Sequence, residues 1–197
     1  MTTNQPTRLD VEAARGEIFH MILFAMAWVM IGEYALDFKD YAAAAVLVIV
    51  AVVILALHSI RLYTLEDRLP DAEVGVDPLE RKQKRRTRLY ALLLIAEGIA
   101  IMITWMVVVH LGRRDWLVPG FALVAGLHFF PLARVIRLNS YYLLGAWICV
   151  LAVAVYVLEV TGYLPDEGGS ALIAYGCAAG AIVDGAWIVA RSMQKIH

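Results

Sequence analysis

Along the chain, apolar residues gather into six long runs, roughly Gly16–Leu36, Tyr41–Leu62, Leu89–Leu111, Trp116–Ile136, Tyr141–Tyr163 and Ser170–Ala190, with polar residues collected between them. At about 1.5 Å of rise per residue each run spans about 30–35 Å as a helix, enough to cross the hydrocarbon core of a bilayer. None alternates with period two, and each is about twice as long as a barrel strand requires. The pattern therefore predicts an all-α polytopic membrane bundle of six transmembrane helices. It predicts a polar N-terminal tail over 1–15, a transmembrane domain over 16–190 with a basic loop at 64–88, and a short C-terminal tail over 191–197. The first run follows a polar stretch containing Pro6, Arg8, Asp10 and Glu12, without the basic start and small-residue cleavage site of a secretory signal, so it is read as a retained helix.

Composition agrees with this reading. The chain of 197 residues is 61% hydrophobic and 18% charged, with a mean hydropathy of +0.70, against about 45–50% apolar and about 25% charged in soluble domains. A soluble single domain, a disordered chain, a secreted disulfide scaffold and a nucleic-acid-binding module are excluded. The net charge of −1 conceals a segregation. Fourteen Lys and Arg residues fall on the side of the termini, and three (Lys39, Arg113 and Arg114) on the other. By the positive-inside rule both termini lie on the cytoplasmic side of the inner (plasma) membrane. Tyr41, Tyr63, Tyr90, Trp116, Tyr141, Tyr142 and Tyr163 stand at segment ends, where amphipathic rings favour the headgroup layer.

The segments group into three hairpins, 16–62, 89–136 and 141–190. The second member of each has an ionisable residue near its basic end, followed by an arginine: His58 with Arg61, His128 with Arg134, Asp184 with Arg191. A threefold hairpin repeat and an inverted 3+3 repeat both fit this spacing.

Titratable residues in hydrocarbon are costly and by default mark a functional site. Counted along the helices, Glu97 and His128 each lie about 12 Å inside the cytoplasmic boundary, Asp184 about 10 Å, His58 about 6 Å and His20 about 5 Å. Five such groups thus share the inner half, while Glu33, His110 and Glu159 lie near the outer boundary. The short Gly112–Asp115 turn predicts that segments 3 and 4 pack antiparallel, which lets Glu97 meet His128. The pair fits an interhelical hydrogen bond that fixes register, and it also fits a proton or solute site. Pro131, three residues beyond His128, removes a backbone donor and opens the carbonyl of Leu127; it is either a plain kink or part of a gate. Gly176, Gly180 and Asp184 recur every four residues and share a face, predicting a close-packed seam that is either intramolecular or a homo-oligomer contact. The run from Arg81 to Arg88 places Arg81, Lys82, Lys84, Arg85, Arg86 and Arg88 together, a topology determinant with the capacity to bind anionic lipid.

Much chemistry has no place here. Cys149 and Cys177 lie inside separate segments at unequal depths and suggest neither a disulfide nor a paired-thiol site. There is no phosphate loop, no nucleophile elbow and no zinc-protease helix. Lys39, Lys82, Lys84 and Lys195 all lie outside the apolar runs, leaving no attachment point for retinal. No cofactor is expected on the leading reading. Two alternatives remain: a haem held by His58 and His128, and a zinc ion held by His58, His128 and Asp184 with Glu97 as base.

The residues Glu97-Gly98, the stretch Gly126-Leu127-His128-Phe129-Phe130-Pro131-Leu132-Ala133 and Tyr141-Tyr142 together resemble a small family of uncharacterised bacterial multi-pass membrane proteins. The resemblance covers segments 3 to 5 and implies a bacterial membrane location but no activity. The leading expectation is a small-solute or proton-coupled transport protein, with Glu97 and His128 as the titrating pair and Asp184, His58 and His20 lining a cytosol-facing pocket. A membrane-embedded metal or haem protein and a structural or assembly subunit are the alternatives.

Overall fold

The computed structural model describes residues 8–37, 42–66 and 78–196. They form six helices: α1 (Arg8–Ala35), α2 (Ala42–Glu66), α3 (Pro78–His110), α4 (Leu117–Ile136), α5 (Ser140–Val160) and α6 (Asp166–Ile196). A single 3₁₀ turn, Arg114–Trp116, precedes α4. The fold is all-α. Five helices are long and apolar enough to cross a membrane, and α2 contributes the apolar stretch Val48–Arg61.

Helices begin and end where backbone chemistry requires rather than where hydrophobicity stops. The helix of α3 starts at Pro78, a residue whose fixed φ and missing N–H suit a first helical turn. The arginines, lysines and glutamine that follow are good helix formers, so the basic stretch over 78–88, predicted as part of a loop, is the leading end of α3. Helix α1 likewise starts at Arg8, inside the predicted tail, and α6 continues past Ala190 to Ile196. The α3–α4 hairpin turns on Gly112, whose φ of +69° is easily adopted only without a Cβ.

Helices in lipid gain little by hiding apolar surface from one another, so association depends on close packing. The two most intimate pairs, α1 with α6 and α4 with α5, each join members of different predicted hairpins. Against α1, α6 presents Ala174, Ala178 and Ala181, at spacings of four and three, and all three are fully buried with Ile18, Met21 and Ala25. A Cβ on Gly32 would stand 3.2 Å from the Ala174 Cβ, which measures how close these helices come.

The α4–α5 crossing is tighter. A Cβ on Gly126 would lie 2.7 Å from Cys149 Sγ and 3.1 Å from the Gly145 carbonyl oxygen, and one on Gly145 would lie 2.8 Å from the Gly126 carbonyl oxygen. Two glycines face each other: Gly126 is met first by the Cys149 thiol and then by the α5 backbone, and Gly145 is met first by the Gly126 backbone. By contrast, α3 lies on the rim, with only 6% of its span buried. It is anchored at one end by Arg86, whose Nε–H donates to the Val135 carbonyl at 3.1 Å and whose Nη2 donates to that of Ile136 at 2.7 Å. These are among the terminal carbonyls that α4 leaves without intrahelical partners. Arg137 follows them in the left-handed conformation, closing the helix.

Gly126→Ala is expected to lower stability by about 1–3 kcal/mol, the usual cost of overpacking, because an added Cβ meets both the Cys149 thiol and the α5 backbone behind it. Gly98→Ala, where a Cβ meets nothing within 4 Å, is expected not to destabilise. Thermal unfolding of both variants in detergent checks the contrast; equal losses would contradict the close crossing.

Candidate functional site

The half of the bundle bearing the basic ends of α1 and α3 gathers polar side chains from α1, α3 and α4 around one aromatic ring. Helix α4 supplies His128 and Phe129 from its buried face. Phe129 is 1% exposed. Edge-to-face contacts join its ring to His20 at 6.4 Å, Phe24 at 5.2 Å and Tyr141 at 5.4 Å between centroids. Adjacent in sequence, the His128 ring lies 6.3 Å from it. Aromatic pairs favour such T-shaped geometry because a positive edge meets a negative face.

Glu97 comes from α3. Its Oε2 lies 3.6 Å from His128 Nε2, and the side chains are 17% and 6% exposed respectively. That distance is a close polar contact, longer than a good hydrogen bond, and His128 Nε2 has no hydrogen-bond partner. The matched depths of the two residues thus translate into facing side chains. His20 arrives from α1, and its Nδ1 is hydrogen-bonded to the Tyr90 hydroxyl at 3.0 Å. Tyr90 is within electrostatic range of both Glu97 and Glu17, and His20 within range of His128. Glu17, one helical turn before His20, and Tyr90, seven residues before Glu97, extend the cluster toward the basic ends of α1 and α3.

Asp184 is placed elsewhere. It is buried, at 6% exposed, and lines a groove of about 640 Å³ between α5 and α6 together with Ser140, Leu143, Trp147, Trp187 and Arg191. None of Glu97, His128 and His20 lines that groove. Asp184 lies beside Ser140, the first residue of α5. Tyr141 connects the two regions: fully buried, it packs on Phe129 and lies in electrostatic range of Glu17, Asp184 and Tyr90. It is a core residue rather than a headgroup-layer tyrosine. Tyr90 too has a polar partner inside the protein.

His58 does not join the cluster. Its ring Nδ1 lies 3.0 Å from the carbonyl oxygen of Ile54, one turn back in its own helix. Among the described residues no hydrogen bond or ion pair links it to Glu97, His128 or Asp184. No three His, Cys, Asp or Glu side chains among the described residues converge as metal ligands. The His58, His128 and Asp184 set is therefore not assembled, and a haem bridged by His58 and His128 gains no geometric support.

Gly176 and Gly180 form an intramolecular seam. A Cβ on Gly176 would stand 2.3 Å from Leu151 Cδ2, and one on Gly180 would stand 2.9 Å from Trp147 Cδ1, both on α5. The Trp147 indole N–H donates to the Gly176 carbonyl at 3.0 Å. This face of α6 thus packs against α5. Pro131 and Leu127 are both exposed, so the carbonyl freed by the proline lies on the outer side of α4 and not among the buried polar groups. Of the basic run, Arg86 is engaged at the α4 terminus; Arg85 and Arg88 are exposed, and the side chains of Arg81, Lys82 and Lys84 lie outside the described residues.

A family model, described as a family of unknown function (DUF7010), matches residues 78–189. The chain belongs to this family. The match takes in all of α3, α4 and α5 and most of α6, and so contains Glu97, His128, Tyr141 and Asp184, while His20 lies outside it. No curated protein and no solved structure matches the chain.

If the Glu97–His128 contact is energetic as well as geometric, the two residues are not additive. A double-mutant cycle on Glu97→Gln and His128→Phe, read by unfolding in detergent, is expected to give a coupling of about 0.5–3 kcal/mol. Additive effects would mean the pair does not interact.

Proposed function

We propose that this membrane-embedded protein moves protons, alone or coupled to a small solute, through the polar cluster of Glu97, His128, His20 and Tyr90. The observation that carries this reading is the facing of Glu97 and His128 across an interhelical gap of 3.6 Å, with a second imidazole held by a phenol beside them. Carboxyl, imidazole and phenol groups exchange protons, and within a membrane such groups are retained against a solvation cost. Glu17 and Tyr90 extend the line toward one side only, which fits loading from the side bearing the basic helix ends.

That side is proposed to be the cytoplasm of a bacterial cell, with both termini inside, from the lysine and arginine bias of fourteen to three. Asp184 and His58 are not part of the proposed path.

Purified protein reconstituted into vesicles with a trapped pH indicator, under an imposed potassium diffusion potential, is expected to pass protons faster than protein-free vesicles. Glu97→Gln and His128→Ala are each expected to return the flux to the protein-free level while still eluting as folded, monodisperse protein. Wild-type flux equal to that of empty vesicles, or undiminished flux in both variants, would overturn the reading. Separately, a fluorescent protein fused after His197 is expected to fluoresce in bacterial cells, whereas a periplasmic phosphatase at the same point is expected to be inactive; the reverse pattern would invert the topology.

A further inference from the structure

The groove between α5 and α6 is a second polar site, separate from the proton cluster. Its wall is a flank of the bundle on which Leu143, Trp147 and Trp187 are all exposed. In that wall Asp184 Oδ2 and Ser140 Oγ are buried without a hydrogen-bond partner of good geometry, although the two side chains lie close enough to interact with each other. An unsatisfied carboxyl facing a hydrocarbon-lined recess is unfavourable unless something donates to it. Arg191, two turns farther along α6, is the one cation on the groove wall among the described residues. The recess of about 640 Å³ falls in the range of small-molecule sites.

We propose that this groove binds a phospholipid with a primary ammonium headgroup. The ammonium donates to Asp184 and to Ser140, satisfying both buried oxygens. The phosphate, at the groove mouth, meets the flexible Arg191 side chain reaching back along the helix. An acyl chain lies against Leu143, Trp147 and Trp187. Charge order selects this class. A zwitterion with donors on its cation matches one acid and one base, whereas a purely anionic headgroup leaves Asp184 unpaired and adds repulsion. A quaternary choline head offers no N–H at all. Ser140 and Arg191 stand at the ends of the apolar spans of α5 and α6, the level of a headgroup rather than of a chain terminus.

Native mass spectrometry of the full chain in detergent, titrated with dioleoyl phospholipids, tests the assignment. Phosphatidylethanolamine is expected to bind about tenfold more tightly than phosphatidylcholine, the worth of one charge-assisted hydrogen bond, with affinity falling stepwise as the amine is methylated. Asp184→Asn is expected to abolish the preference, Ser140→Ala to reduce it, and Glu97→Gln, in the separate cluster, to leave it intact. Val183→Trp, on the groove wall, is expected to weaken binding of every headgroup. Equal wild-type affinity along the methylation series overturns the proposal even if Asp184→Asn fails to fold. So does a preference that survives both groove substitutions at Asp184 and Ser140, or displacement of the lipid by water-soluble phosphoethanolamine at equal concentration.

Discussion

Backbone-to-backbone approach is the constraint on which this bundle rests. Lipid chains are as apolar as leucine, so α1, α4, α5 and α6 gain from contact only when they come closer to one another than lipid can. The fully buried alanines of α6 against α1, and the mutual glycines at the α4–α5 crossing, provide that approach. Because these contacts run between predicted hairpins, the four helices interlock as one unit, leaving α2 and α3 to pack at the periphery. The polar groups then occupy the seams that such packing leaves, and their positions are inherited from where small residues fall in the sequence.

That inheritance explains the separation of the two polar regions. On α4, Gly126 directs one face to α5, while His128, two residues on, turns toward α3, and Phe129 between these faces reaches both α1 and α5. On α6, the alanine face engages α1, and the Gly176–Gly180 face engages α5 and ends at Asp184. Acid and imidazole groups at similar counted depth are therefore sorted by helical phase into a cluster and a groove, with Tyr141 between them.

The apolar runs and their length made the helices legible, and matched depth in an antiparallel hairpin made the Glu97–His128 contact legible. Depth along a helix is a one-dimensional quantity, however, and phase decides which neighbour a side chain meets. Asp184 and His58 share the depth range of Glu97 but not its partners. Hydrophobicity also misplaced helix ends: the charged residues before Leu89 favour helix as strongly as the apolar ones after it, so a polar stretch of α3 read as loop. The Gly126–Gly145 crossing left no sequence signal, since each glycine is isolated in its own segment and only the pair has meaning.

The clamp of Arg86 on the last turn of α4 has a mechanical corollary. An α-helix is axially stiff, and along α3 the guanidinium anchor and Glu97 are eleven residues apart, about 16 Å of rise. Pinning the far end of α3 to two carbonyl oxygens of α4 therefore fixes the height of the carboxyl against the imidazole on the opposing rod. A slip of a single residue would carry the acid about 1.5 Å along the axis and swing it about 100° around it. The arginine outside the bilayer thus acts as the datum from which alignment within it is measured.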